Sequence, residues 1–218
     1  MREGVKQGGA KRDGAGLDLD RIIAAAWAVV DRDGLDALST RSLAAHLGVK
    51  GPALYWHIGS MQELHGRMVE HILRDSVRSL DGTMAWPEWL RLVGTEQRRI
   101  FLSHRDSGRI ASNVSPSEQM RSEVIPTIIK PLLDAGFDQE RAQAVAGTLA
   151  CFVLGWVIYE QREETRSFVT SFVPIGAAFA FGLDMFVAGL LASAADLGRP
   201  LAAEMGEDSA TAEAKSLQ

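Results

Sequence analysis

The sequence predicts an all-α protein, with an N-terminal domain of three helices followed by a larger helical domain. Apolar residues recur at three- and four-residue spacing through most of the 218-residue chain, and no segment shows the alternation typical of a half-buried strand. Capping residues, prolines and glycines divide these segments at ordinary helix lengths. Because 46% of the residues are hydrophobic, each domain can bury a core. We place the domains at residues 17–64 and 65–198, between an N-terminal arm (1–16) and a disordered tail (199–218).

The first sixteen residues and the first helix differ sharply in pattern. Residues 1–16 combine glycines with four basic side chains and have no apolar period, which predicts a flexible basic arm. Asp18 can then cap a helix that we expect to run to Asp33 and to end at Gly34. The apolar stripe of this helix contains Ile22, Ile23, Ala26, Trp27 and Val30.

The segment 38–57 contains two short helices and a tight turn within twenty residues. Ser39 can cap the first of them, and Gly48 follows the last apolar residue, where a left-handed glycine ends many helices. Pro52 suits the first turn of the next helix because the missing N–H has no helical partner there. This layout is typical of a helix-turn-helix DNA reader. The alternative is a helical hairpin around a buried aromatic cluster.

From Leu17 to Leu64 the chain resembles the DNA-binding domain of the tetracycline-repressor (TetR) family, including the segment LYWHI at 54–58. The resemblance implies that Thr40 contacts a phosphate and that Arg41 contacts a base edge, where arginine can bind guanine with two hydrogen bonds. The remaining predicted DNA contacts are Lys50, Gly51, Pro52, Ala53, Tyr55, Trp56 and His57. Leu54 belongs to the core, and for Tyr55 and Trp56 a core position is the alternative.

Two departures and one neighbouring segment bear on the DNA site. Gly51 and Ala53 replace a polar pair of the tetracycline-sensing members, and Met61 stands where they have a lysine, so we expect a different operator. The basic arm can reach a minor groove or phosphates, although an unstructured terminus without a role is the alternative.

The rest of the chain predicts five further long helices. Ser60 and Glu63 form a capping-box pattern at the start of a helix that reaches Val77. After a loop at 80–85 we expect helices at 86–103, 117–135, 138–164 and 176–196, of which the second is capped by Ser117 and stopped by Gly136. Pro126 and Pro131 predict a kink or break in that second helix.

The last helix predicts self-association. One side of it carries more apolar surface than a small domain leaves exposed, namely Phe179, Leu183, Phe186, Val187 and Leu190. In the resemblance this helix and the helix from Asp138 form the four-helix bundle of a homodimer. A two-fold dimer also matches a palindromic operator on double-stranded DNA.

Segments 101–106 and 152–155 also look like the tetracycline repressors, but the drug site is not carried over. The metal-binding histidine falls at Ala111, the glutamate of the metal site at Tyr159, and the two drug-binding side chains at Val93 and Val77. Because Mg²⁺ needs oxygen donors, we predict no metal, no cofactor and no tetracycline binding. The corresponding space predicts an apolar, aromatic chamber for a hydrophobic small molecule, lined by Val77, Val93, Gln97, Ala111, Val114, Met120, Phe152, Trp156 and Tyr159. The alternative is that these residues form a solid core.

Composition excludes several classes of protein. The net charge of −5 argues against a protein that coats nucleic acid nonspecifically. We expect the single cysteine, Cys151, to be a small core residue, and its lack of a disulfide partner fits a reducing cytoplasm. We interpret the apolar stretch 172–195 as a buried helix and not as a membrane span. Catalytic motifs are absent, and we interpret His104, Arg105 and Asp106 as a capping or ion-pair group. The sequence therefore predicts a cytoplasmic, homodimeric transcriptional repressor, with an activator or a ligand-independent dimeric scaffold as alternatives.

Overall fold

The computed structural model describes residues 17–78, 80–115 and 117–193, and all regular structure in these ranges is helical. The predicted arm (1–16), the predicted tail (199–218) and the predicted helix end at Asp196 lie outside the described residues. The helices are α1 (Leu19–Asp33), α2 (Thr40–Leu47), α3 (Gly51–Ile58), α4 (Met61–Arg78), α5 (Trp86–Leu102), α6 (Ser107–Ala111), α7 (Ile125–Asp134), α8 (Gln139–Gln161), α9 (Glu163–Thr170) and α10 (Ile175–Ala192). A 3₁₀ turn (Leu35–Ala37) follows α1, and a π-helical turn (Met120–Val124) precedes α7.

Helices α1 to α3 and the start of α4 form a small unit, residues 17–64, which we call the head. The Asp18 carboxylate accepts the Arg21 N–H at 2.7 Å, and Gly34 ends α1 at a positive φ of 90°. The five residues of the predicted stripe of α1 are all buried. Leu43 of α2 and Leu54 of α3 complete this core without exposed surface. The helix boundaries and caps predicted for the head are confirmed.

Helix α4 connects the head to the remaining helices, residues 80–193, which we call the body. It passes the predicted domain boundary at residue 64 without interruption. The Ser60 hydroxyl accepts the Glu63 N–H at 3.1 Å, as predicted. The second half of the capping box differs, because the Glu63 carboxylate accepts from the Ser60 hydroxyl and not from its backbone N–H.

Helix α5 is the centre of the body and packs against α4, α7, α8 and α10. The indole of Trp89 is buried and donates to the carbonyl oxygen of Ile128 in α7 at 2.9 Å. Arg98 forms a two-point ion pair with Glu160 of α8, with N–O distances of 2.6 and 2.7 Å. These contacts hold α7 and α8 against α5.

The helix predicted between Ser117 and Ala135 shows no break: it runs from 118 to Asp134, with a π-helical turn before Pro126. The Ser117 hydroxyl accepts the Met120 N–H at 3.0 Å, which confirms the predicted cap. The chain then makes the π-helical turn, and Pro126 lies directly after it, in the first residues of α7. Pro131 lies inside α7 and does not end it.

Three sequence expectations for the body need correction. Helix α8 ends at Gln161 and not at Glu164, because Arg162 is extended (φ −100°, ψ 118°) and separates α8 from α9. Helices α6 and α9 were not predicted. Cys151 is exposed on α8 and is not a core residue.

Helix α10 is apolar except for Asp184, which pairs with Arg91, and its orientation differs from the expected one. Phe179, Leu183 and Val187 are buried in the protomer's own core, and Phe186 and Leu190 are partly buried against it. The opposite side exposes Phe181 and Met185, at 67% and 60% of their surface. The predicted interface stripe therefore packs within the chain, and a different side of α10 is free.

Helices α8 and α10 are both long and apolar enough to cross a membrane by length and composition alone. Both pack against α5, and each buries one face within the body. The expectation of a buried helix is corrected to a helix with one buried and one exposed apolar face.

Candidate DNA interface and ligand cavity

The turn between α2 and α3 determines which side chains the head presents. Gly48 ends α2 in the left-handed conformation (φ 69°, ψ 29°), and α3 begins three residues later. Leu54 and Ile58 are buried against the head core, so the remaining side of α3 faces solvent. That side carries five predicted contact residues, which are Pro52, Ala53, Tyr55, Trp56 and His57.

Trp56 is 91% exposed and Tyr55 is 53% exposed, which removes the core alternative for both residues. The Thr40 hydroxyl donates to the Tyr55 hydroxyl at 3.3 Å and so connects the start of α2 to α3. The nine predicted DNA contacts therefore occupy the start of α2 and the outer side of α3. We call this surface the reading face.

The reading face is locally positive although the chain is acidic. No aspartate or glutamate occurs from Ala37 to Gln62. Arg41 and Lys50 are exposed, and neither side chain makes a hydrogen bond or an ion pair with a described residue. The first N–H groups of α2 and α3 add the positive ends of two helix dipoles. Such a surface matches the phosphate backbone and the base edges of DNA.

A cavity of about 540 Å³ lies between α4, α5, the π-helical turn, α7 and α8. Its walls are mostly apolar and are formed by Leu73, Met120, Ile125, Ile128, Ala146, Gly147, Leu149 and Ala150. Three polar side chains also line it: Gln97, Arg121 and Gln143. A volume of this size is typical of small-molecule sites.

The head and the body meet at α6. The Asp31 carboxylate accepts from the His104 Nδ1 and from the Arg105 backbone N–H, each at 2.9 Å. Asp106 has a positive φ of 55°, and its carboxylate accepts the Leu35 N–H at 2.9 Å. Arg105 and Asp106 lie 3.7 Å apart, which confirms the expected ion pair, but Asp106 does not cap α6, so the alternative capping role of this group is not borne out there.

Further contacts hold α6 to the head and to the end of α8. Arg109 pairs with Asp36 of the head at 2.7 Å, and this partner lowers the pKa of the Asp36 carboxyl. On the other side, the Gln161 amide at the end of α8 accepts the Gly108 N–H at 2.9 Å and donates to the His104 carbonyl at 2.7 Å. Helix α6 therefore connects the end of a cavity wall to the head.

Two family descriptions match the chain. Residues 22–68 match "Bacterial regulatory proteins, tetR family", and residues 79–175 match "Tetracyclin repressor-like, C-terminal domain". The chain belongs to the TetR family. Proteins of this family are DNA-binding transcriptional regulators with an N-terminal helix-turn-helix and a helical ligand-binding domain.

Similar proteins include a tetracycline repressor of class E from Escherichia coli. It is 35% identical over 67% of this chain and 70% of its own length. A tetracycline repressor variant from Acinetobacter baumannii AYE, solved with minocycline, is 32% identical and has a TM-score of 0.70 over 82% of this chain and 99% of that one. BioQ solved with its double-stranded DNA operator is 31% identical, with a TM-score of 0.60 over 80% of this chain and 98% of that one.

The structure does not bring together the nine ligand residues that the TetR resemblance indicated. Gln97 and Met120 line the 540 Å³ cavity. Phe152, Trp156 and Tyr159 line a separate, open cleft of about 320 Å³ on the outer side of α8. The other four lie elsewhere: Val77 in a charged cleft beside α1, Val93 buried on α5, and Ala111 and Val114 partly buried against the core.

Sequence reasoning missed most of the cavity wall in this TetR-family protein. Leu73, Ile125, Ile128 and Ala146 were not predicted, and neither was Arg121. The π-helical turn explains part of this, because its extra residue per turn changes which side chains of 120–128 face inward. Pro126 is the sequence signal that could have pointed to the change.

Proposed function

We propose that this TetR-family protein is a homodimeric transcriptional repressor that a hydrophobic small molecule releases from a palindromic operator. The observation that carries the proposal is the reading face, where Arg41 and Lys50 are unpaired beside the exposed Trp56. A DNA-reading surface needs cationic side chains that are available for phosphates and base edges.

The exposed sides of α8 and α10 support the dimer. On α8 this side carries Thr148, Cys151, Gly155 and Tyr159, and small residues allow a second helix to approach closely. On α10 it carries Phe181 and Met185, two large apolar side chains that are mostly exposed in the single chain. Adjacent exposed apolar side chains of this kind are typical of an interface. Burial of these sides against a second copy gives the two-fold symmetry that a palindrome requires.

The cavity supports control by a small molecule. Leu73 of α4 lines it, and the N-terminal end of the same helix follows the reading helix α3. Two heads must sit about 34–36 Å apart to enter successive major grooves. A guest that prefers the dimer whose heads lie at another spacing shifts the population away from the DNA-binding form. The shift in free energy cannot exceed the guest's difference in affinity for these two forms of the dimer.

The guest is expected to differ from magnesium–tetracycline. The positions that carry the metal and drug ligands in the resemblance are Ala111, Tyr159, Val93 and Val77, and three of these side chains offer no donor atom. The protein is proposed to act in the cytoplasm, where its DNA lies, and without a catalytic role.

Selection of binding sites from a random pool of double-stranded DNA tests the proposal. We expect the full-length protein to enrich a palindrome, and native mass spectrometry to find two protomers on each bound site. Enrichment of no sequence above the starting pool, at salt low enough for nonspecific binding, would contradict it.

A further inference from the structure

We propose that the effector is an organic anion: an apolar body of two or three rings fills the cavity, and an acidic group pairs with Arg121 at its rim. The proposal rests on the function proposed above, in which this cavity is the effector site. It adds the charge of the ligand, which the family match does not supply.

The first evidence is the state of Arg121. In the described part of the chain, the cationic side chains without a hydrogen bond or an ion pair are those of Arg41, Lys50, Arg121 and Arg162. Two of these belong to the reading face, and Arg121 lines the cavity. A free guanidinium at the edge of an apolar chamber is a ready site for a carboxylate, a phenolate or a sulfonate.

The nearby acid Glu123 is already engaged. Its carboxylate accepts from the Gln119 amide at 2.9 Å and lies 3.7 Å from Arg74. Arg121 therefore remains a net positive charge at the rim, and an anionic guest would supply its partner.

The second evidence lies inside the cavity. Gln97 is 97% buried, since only 3% of its surface is exposed, yet its side-chain amide makes no hydrogen bond with a described residue. Because Gln97 lines the cavity, its amide is available to hydrogen-bond a polar atom of a guest. The ligand should therefore carry a polar atom on its ring system that forms a hydrogen bond with Gln97.

The shape of the chamber limits the rest of the molecule. Its volume of about 540 Å³ and its walls of Leu73, Ile125, Ile128 and Leu149 suit a rigid ring system. A second charge within these walls would lack a partner, and burial of an unpaired charge is expensive. The structure therefore favours a single acidic group at one end of the guest.

Two fluorescent probes of the same skeleton test this inference on the full-length protein. 8-Anilinonaphthalene-1-sulfonate carries one permanent negative charge, and N-phenyl-1-naphthylamine is its neutral counterpart. Titrations measure the dissociation constants of both for the wild type and for Arg121→Gln. Arg162→Gln is the matched control, because it removes another exposed, unpaired arginine outside the cavity. Ala146→Phe fills the cavity and shows whether a probe binds there.

We expect Arg121→Gln to weaken the sulfonate probe on the order of tenfold and the neutral probe by less than twofold. Arg162→Gln should leave both constants unchanged, and Ala146→Phe should weaken both. If both probes bind in the cavity but Arg121→Gln affects them equally, the anion inference is wrong and the effector site stands. If neither probe responds to Ala146→Phe, the cavity is not the site, and the proposed effector control fails as well.

Discussion

Asp31 of the head and His104 of the body are joined by a hydrogen bond of 2.9 Å, and the His104 ring also stacks on Trp27 at 4.2 Å. The same turn leads into α6, which Gln161 holds to the end of α8. Because α8 is a wall of the cavity, a guest that displaces α8 would pull on the head through α6. The contact between Asp31 and His104 thus provides one route from ligand to DNA.

Arg41→Ala should weaken specific operator binding by about 1–3 kcal/mol, because arginine can make two hydrogen bonds to guanine. Fluorescence anisotropy with the selected palindrome at fixed salt measures the loss. Arg32→Ala is the control, since Arg32 lies on α1 and pairs with Asp33. Equal affinity of Arg41→Ala and the wild type would show that Arg41 does not contact a base of the operator.

Gln161→Leu should lower the free energy of unfolding by about 1–3 kcal/mol, because the substitution leaves the Gly108 N–H and the His104 carbonyl without a partner. Urea denaturation at a fixed protomer concentration measures it. Gln143→Leu serves as the control, since that amide on the same helix makes no hydrogen bond with a described residue. A loss no larger than that of the control would show that Gln161 does not hold α6.

Burial lowers the pKa of His65 below its ordinary 6.5, and its Nε2 has no hydrogen-bond partner. The unfolded chain therefore takes up the proton first, so stability is complete above about pH 6.5 and falls as the pH drops through that value. His65→Gln should reduce this acid-side loss between pH 8.0 and about pH 5.5. An identical pH dependence of unfolding in both proteins would refute the assignment.

Phe181→Glu combined with Met185→Glu should convert the dimer to a monomer, because it places two charges in the proposed interface. Light scattering coupled to gel filtration reports the mass. Trp56→Glu makes a similar change on the reading face and should leave the dimer intact. A double variant that remains dimeric would place the interface elsewhere.

Magnesium with tetracycline should not bind, since Ala111 and Val93 cannot supply the donor atoms that the resemblance requires at their positions. Isothermal titration calorimetry with both components measures this directly. Micromolar affinity would contradict this expectation and show that the chain has a functional magnesium–tetracycline site.

The head could be predicted almost completely from the sequence, because its signals are local. Asp18, Ser39, Gly48 and Pro52 each cap, end or begin a helix through contacts with their own neighbours. The start of α6 lacks such a signal. Asp106 precedes it, but its carboxylate accepts the distant Leu35 N–H and leaves the first turn of α6 uncapped.

The ligand cavity and the free side of α10 depended on tertiary packing. Helix α10 carries apolar residues on both its buried and its exposed side, with Asp184 as its one charged residue, so periodicity could not distinguish Phe179, which is buried, from Phe181, which is exposed. The cavity residues between 120 and 128 depend on the π-helical turn, which a pattern of 3.6 residues per turn does not anticipate. Gln97 was predicted from the TetR resemblance, and it lines the cavity from α5, a regular helix at the centre of the body.

A footprint of the full-length protein on the DNA flanking its own gene tests the central claim most directly. It should be run at two salt concentrations with excess competitor DNA, alongside Arg41→Ala. We predict a protected palindrome that survives the competitor with the wild type and is lost with the variant. No protection at either salt, or equal protection by both proteins, would contradict operator recognition by the reading face.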